Sequence, residues 1–573
     1  MGIESEQSDA LQLLGALARR RGELDVAESC FRRSLTSNQA QPQVWNSLGN
    51  LLDHSGRGDE ALAAFGQALT LDPEHADARY NSARVLHARG LLQEAYAALT
   101  PVLSRPEQVT PAMLQLKAQI ESDGGQIEAA LATLDGALMR APERAALHHN
   151  RAVLLHRQHR FHEALAGHEQ ALRLGLNVAD AHYNLGNTLQ SLGRGQQAAQ
   201  AYRAALALHS GHGLALYDLA RLRWRLGDAD FDAELRQLTE AEPGSAQGPG
   251  IRAHLLWRAE RYADAAAAFS LALEREPQAA GFLDGLGRCQ VRLGEVDAGL
   301  ASHRRAIALA PGNAELHANH AASLLVARRP DAALDQAEIA HQLAPMDQYA
   351  LALMGLAWRA LADPREAWLN DYQGMVQIFE LEPPPGWADM DSFNAALGNE
   401  LRLLHADREA PIDQTLRQGT QTLGDIFDQG HPLVDALKGQ IAKAVDRYIA
   451  ALPPDASHPF LRRRSSRGWR FADSWSSRLR SRGFHTSHVH PHGWISSAYY
   501  VAVPAVCADV QRREGWLQFG QPDIDLGLGP LTRRIEAPQP GRLALFPSLF
   551  WHGTTPFTED SERLSIAFDI QPL

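Results

Sequence analysis

The sequence predicts a multidomain chain: an all-α solenoid of two-helix repeats, followed by a double-sheet β-barrel with buttressing helices. Three observations predict it. Apolar and small residues recur with a period of about 34 residues over the first two-thirds of the chain. A proline-rich break, Glu380-Leu-Glu-Pro-Pro-Pro-Gly-Trp387, then ends the helical periodicity. Beyond it, residues 563–570 alternate strictly, with Arg563, Ser565, Ala567 and Asp569 on one face and Leu564, Ile566, Phe568 and Ile570 on the other. Such a strand suits a wall between a polar cavity and an apolar packing layer.

The repeats come first. With Pro42 as the first position of one repeat, Trp45, Leu48, Gly49, Ala61, Phe65, Ala68 and Pro73 mark it out. The same register recovers Leu14, Gly15, Ala27 and Phe31, then Leu185, Gly186, Ala198, Tyr202 and Ala205, and later Leu286, Gly287, Ala306 and Pro311. On these positions the chain resembles the tetratricopeptide family over residues 8–369. The resemblance implies about ten repeats and a groove that takes a protein or peptide partner. One repeat, at 213–245, loses the pattern in its second helix, and a capping helix is expected at 348–369. His156, His159 and His162 fall on a helix–turn–helix corner and read as turn residues rather than ligands.

The break places a linker at 370–388 and a second domain at 389–573. Residues 391–406 and 431–452 read as amphipathic helices, the second ending at Pro453-Pro454. The polar stretch Asp413–Thr422 reads as either a substrate-side loop or a capped turn. Asp473–Leu479 reads as the strand leading into a His-rich loop, with Trp475 and Arg478 as candidates for the substrate side of a site. Strand signals recur at Ile495–Val503, stopped by Pro504, and at Gly541–Pro547.

The chemistry lies near the C-terminus. His488-Val489-His490 puts two imidazoles at i and i+2, on one face of an extended segment. His552, from a distant strand, can close a facial metal triad with three positions left open. Arg563 and Ser565, again at i and i+2, can then hold the carboxylate of a cosubstrate. In a chain with 25 histidines a lone His-x-His says little, so order and context carry the reading.

At these residues the chain resembles the 2-oxoglutarate- and Fe(II)-dependent oxygenases of the prolyl-hydroxylase-like branch. The closest pattern is a bacterial group in which His-x-His-Pro precedes a Ser-x-x-Tyr-Tyr strand. The resemblance covers about residues 380–573 and implies a double-stranded β-helix (jelly-roll) barrel. It implies Fe(II) held by His488, His490 and His552, and 2-oxoglutarate anchored by Arg563, Ser565 and Tyr500. It also implies O2 as co-reactant and hydroxylation of a protein or peptide side chain as the reaction. His490 departs from the usual pattern, which has Asp or Glu there, so three neutral imidazoles leave both charges of the metal uncancelled. His485 and His492 offer ligands in a shifted register. Two other classes fit the same residues: an interaction scaffold with an inactive barrel, and a three-His cupin-like metalloenzyme that does not use 2-oxoglutarate.

Composition narrows the setting. The net charge of −12 disfavours a general nucleic-acid binder, although Arg462, Arg463, Arg464, Arg467, Arg470, Arg478, Arg480 and Arg482 cluster locally. They read either as solvated or ion-paired groups or as a basic rim. No apolar run approaches the ~20 residues a membrane span needs, and the first residues lack the pattern of a signal peptide. Three scattered cysteines make no disulfide framework. The expectation is a cytoplasmic protein.

Overall fold

The computed structural model describes the chain apart from Met1, Ala406, Arg408, Asp413, Gly529 and Pro530, and describes residues 2–7 as backbone only. Contacts divide it into two compact units, Met1–Thr188 and Leu189–Leu573. In the first unit helices pack in consecutive pairs, Gly2–Arg20 with Leu24–Ser37 and then Pro42–His54 with Gly58–Leu71, and so on. Small residues let paired helices approach: Ala27, Ala61 and Ala68 are fully buried where the helices meet. Gly49 lies against Phe65, so an added Cβ would come within 2.4 Å of that ring. Gly15 meets Phe31 in the same way, at 2.7 Å. Because Phe65 is itself fully buried and cannot swing away, Gly49→Val is expected to destabilise this unit by roughly 1–3 kcal/mol through overpacking. A lower urea midpoint would register the loss.

Helix pairs continue into the second unit. The expected degenerate repeat at 213–245 has a second helix, Ala233–Ala241, of only 9 residues. The single capping helix expected at 348–369 is instead two helices, Gln348–Ala360 and Arg365–Leu369. Ala362, at φ 56°, and Pro364 break the chain between them. Nor does Gln348–Ala360 act as a solvent-facing cap: residues from Ala350 to Arg359 are buried. Its apolar side chains join one hydrophobic core with those of the following sheets, from Leu351 and Trp358 to Phe546 and Ile570.

The β-rich region has nine strands among the described residues: β1 (Gln377–Glu380), β2 (Leu416–Gln421), β3 (Trp469–His485), β4 (Ile495–Ala502), β5 (Leu517–Phe519), β6 (Arg534–Glu536), β7 (Arg542–Pro547), β8 (His552–Thr554) and β9 (Arg563–Pro572). They form a six-stranded sheet in the order β1-β7-β4-β9-β3-β2 and a three-stranded sheet in the order β6-β5-β8. The sheets are not closed into a continuous hydrogen-bonded barrel. β1 comes from the segment expected to be a linker and pairs antiparallel with β7. β2 takes up much of the polar stretch 413–422, whose Asp413 lies outside the described residues.

The alternation read at 563–570 sets the site. Leu564, Ile566, Phe568 and Ile570 are fully buried in the core, and Arg563, Ser565 and Asp569 turn to the opposite face. Helices Met390–Leu404 and Pro432–Ala451 occupy the two helical segments expected here. The Tyr499 hydroxyl donates to Asn394 Oδ1 of the first at 2.7 Å. Tyr448 of the second donates to the Met375 carbonyl at 2.7 Å. No helix among the described residues is long and apolar enough to cross a membrane.

Candidate metal centre

The three histidines converge. Candidate ligand atoms of His488, His490 and His552 all lie within 4.8 Å of one another, the only such group of three among the described residues. His488 is not on a regular strand as its spacing suggested. β3 ends at His485, and His488 then forms an isolated antiparallel bridge with His552. The His488 N–H donates to the His552 carbonyl at 2.9 Å, and the His552 N–H returns the bond at 3.0 Å. The extended backbone still turns His488 and His490 the same way, and His490 is held by its N–H to the Ser548 carbonyl at 3.0 Å.

Each imidazole has its far nitrogen engaged. His488 Nδ1 donates to the Thr486 carbonyl at 2.8 Å and His552 Nδ1 to the Phe550 carbonyl at 2.9 Å. A carbonyl only accepts, so both rings carry their proton on Nδ1 and point an Nε2 lone pair inward. His490 Nδ1 donates to Asp569, 2.7 Å from either carboxylate oxygen. His488 Nε2 and His490 Nε2 then stand 3.1 Å apart, two lone pairs facing each other, which a shared cation would relieve. Burial, reinforced by the neighbouring His490, drives the His488 pKa down to about 3. Burial likewise holds His552 well below the usual histidine range. These two rings therefore remain neutral ligands over the physiological pH range.

Asp569 was not singled out from the sequence as a site residue. It also accepts from the Ser496 hydroxyl at 2.6 Å, and Ser496 meets Ser548 at 2.9 Å. The carboxylate missing from the triad thus sits directly behind it, a place from which it orients the ring. Trp475 packs over His490 with ring centres 5.7 Å apart, and Phe546 lies edge-on to His552 at 4.6 Å. Each covers one side of its imidazole.

The histidines open on a cavity of 790 Å³ that Trp475, Arg563, Ser565 and Asp569 also line. Arg563 is 2 % exposed. Among the described residues it has no acidic partner, and its Nε has no hydrogen bond. Its guanidinium carbon lies 5.0 Å from the centre of the Tyr500 ring. Ser477 Oγ nearby is buried without a partner, and the Tyr500 hydroxyl has only the Arg563 guanidinium beside it. Ser477 and Tyr500 flank Ser565 on the two neighbouring strands. A buried guanidinium without a counter-charge is costly, and an anionic ligand would remove that cost. The residues present therefore fit a divalent metal at the histidines and a carboxylate at Arg563.

Arg478, expected beside Trp475 on the substrate side, does not line this cavity. It pairs in the sheet with core-facing Leu564 and bonds Glu562 at 2.6 Å, as does Arg402 at 2.5 Å. Side chains three apart on a strand face opposite sides. His485 and His492 line the cavity but stand outside the three-ligand group. The local arginine cluster is partly structural: Arg463 donates to the Gly493 carbonyl at 2.8 Å and supports the His-rich loop. His156 sits apart in the first unit, its Nδ1 3.0 Å from Thr188 Oγ1.

Residues 473–569, which include every member of this cluster, match the family model described as "Putative 2OG-Fe(II) oxygenase". Tetratricopeptide-repeat models match residues 13–69, 54–120, 183–246 and 252–314. The chain combines tetratricopeptide repeats with a C-terminal domain of that oxygenase family. Among curated proteins it is similar to the peroxisomal targeting signal receptor of Saccharomyces cerevisiae, 37% identical over 94 residues, 16% of this chain and 15% of that receptor. It is also similar to Protein O-mannosyl-transferase TMTC1 of Homo sapiens, 28% identical over 217 residues, 37% of this chain and 24% of that protein. The chain thus spans a minor part of the curated relatives it matches. Among solved structures, yeast Tom70 aligns at 16% identity and a TM-score of 0.31, over 63% of this chain and 97% of that one.

Proposed function

We propose that the chain is an Fe(II)- and 2-oxoglutarate-dependent dioxygenase that hydroxylates a protein or peptide side chain recruited by its repeats. The observation that carries this reading is Arg563, a buried and unpaired cation in the same cavity as three inward-facing imidazoles. A three-His metalloenzyme without 2-oxoglutarate would need another anion, such as a substrate carboxylate, to neutralise that buried charge. The two open sheets, joined by the His488–His552 bridge, are read as the two halves of a double-stranded β-helix.

In this reading His488, His490 and His552 would hold Fe(II), and Asp569 fixes the His490 tautomer while placing a negative charge behind the ring. Arg563, with Ser565 and Tyr500, would hold the far carboxylate of 2-oxoglutarate through a charge-assisted pair. When bound, the metal and 2-oxoglutarate supply the oxidising chemistry, consuming O2 and releasing succinate and CO2 as the substrate is hydroxylated. Trp475 and Phe546 keep the imidazoles dry and stiff, so the chain's own task is placement and exclusion of water. Repeats 8–369 recruit, and residues 389–573 together with β1 form the catalytic domain. The setting proposed is cytoplasmic, with which free, buried Cys30, Cys289 and Cys507 are compatible. The reading is tested by O2 uptake. Uptake should require both added Fe(II) and 2-oxoglutarate and should yield succinate; iron-dependent uptake indifferent to 2-oxoglutarate would replace it with the cupin-like alternative.

A further inference from the structure

A second cavity, of 390 Å³, adjoins the three-histidine chamber, and Arg258, Gln414 and Thr415 line both. One wall comes from the repeat helices Gln247–Arg258, Ala280–Arg292 and Ala314–Val326, the other from the segment entering β2 and from Asp523 and Ile524. The chamber therefore opens toward the repeats within this unit.

The charges of this groove do not balance. Arg292 pairs with Asp523 at 2.8 Å, and Arg417 pairs with Glu260. Among the described residues, Arg258 and Arg288 have no carboxylate at ion-pairing distance, and Arg258 is exposed. Arg288 instead lies over Trp257, its guanidinium carbon 4.3 Å from the ring centre. Tyr262 stands 4.9 Å from Trp257 and 6.0 Å from the Arg292 guanidinium carbon. Flat aromatic faces interleaved with arginines suit an extended chain with carboxylates on it. Beyond His490 the chamber carries Asp425 and Asp473, so outside the Arg563 pocket the attraction for anions lies on the repeat side. Two unpaired arginines are too few for a nucleic-acid tract, which draws its affinity from many phosphate contacts.

We propose that this groove binds an extended polypeptide segment with acidic side chains and leads a neighbouring residue of that segment into the chamber. Only the fate of that residue rests on the oxygenase reading. The test uses the full chain, free of metal, in fluorescence anisotropy with a labelled Glu–Ser alternating peptide and its Lys–Ser counterpart of equal length. The Glu–Ser peptide should bind roughly tenfold or more tightly than the Lys–Ser peptide, and added salt should weaken it. Arg258→Glu, at an exposed residue whose change leaves packing alone, should remove the preference, and Arg288→Gln should reduce it. Equal binding of the two peptides, an undiminished preference in Arg258→Glu, or tighter capture of labelled oligodeoxythymidine would overturn the proposal. Because the assay contains neither Fe(II) nor 2-oxoglutarate, its result is separable from the catalytic one. Acidic-peptide binding without 2-oxoglutarate turnover would refute the oxygenase and keep the groove, and turnover without the preference would do the reverse.

Discussion

His552→Ala is expected to abolish iron binding. It removes a buried ligand and leaves two imidazoles on one short segment, and no neighbouring side chain in the three-ligand group can replace it. The loss should exceed the ~10–100-fold typical of changes to groups behind a metal ligand. His156→Ala, in the other unit, should leave iron content unchanged. Purified His552→Ala protein with near-wild-type iron would sink the triad. His490→Asp is more informative because Asp569 already faces that position. Alone, the change sets two carboxylates against each other and should weaken iron binding despite restoring a conventional triad. Adding Asp569→Asn removes the repulsion and supplies a donor, so the double variant should bind iron more tightly than His490→Asp. An additional loss in the double variant would contradict the role given to Asp569.

Arg563→Ala should leave iron binding nearly intact and raise the 2-oxoglutarate requirement sharply. The guanidinium is buried and lacks a carboxylate of its own, so the lost charge-assisted pair should cost on the order of 2–4 kcal/mol. That corresponds to roughly 30- to 1,000-fold in apparent affinity. Tyr500→Phe should act in the same direction and more weakly, since its hydroxyl stands beside the Arg563 guanidinium. Succinate formation with an unchanged 2-oxoglutarate dependence in Arg563→Ala would reject the assignment.

Local patterns made much of this legible in advance. The period-two alternation at 563–570 placed Arg563 and Ser565 on the cavity face because a buried strand cannot slip register without exposing its apolar side. Gly49 and Phe65 announced a helix crossing for a similar steric reason. What escaped was non-local or misphased. Asp569 shares a face with Arg563, yet its partner His490 is 79 residues away, and nothing in the local sequence signals that pairing. Arg478 was grouped with Trp475 although their odd spacing already separates them on a strand. Helix Gln348–Ala360, expected as a cap, is apolar all round in Tyr349-Ala-Leu-Ala-Leu-Met-Gly-Leu-Ala-Trp358, the mark of a helix covered on every side.

That covering ties the β-rich region to the repeats. The Gln348 N–H donates to the Pro491 carbonyl at 2.9 Å, one residue beyond His490. Arg359 reaches the Gly520 carbonyl at 2.5 Å. A chain cut at Asp389 would lose these supports together with β1, so the proposed recruitment and catalysis are best separated by point variants in the intact protein.

The central claim, that the three histidines and Arg563 form one metal–cosubstrate site, is tested most directly by anaerobic titration of the intact protein with Fe(II) and 2-oxoglutarate, followed by visible absorption. A charge-transfer band should appear only when both are present and saturate at one equivalent of iron. It should be absent in His552→Ala and require far more 2-oxoglutarate in Arg563→Ala. A protein that binds iron but gives the same spectrum with and without 2-oxoglutarate would contradict the account.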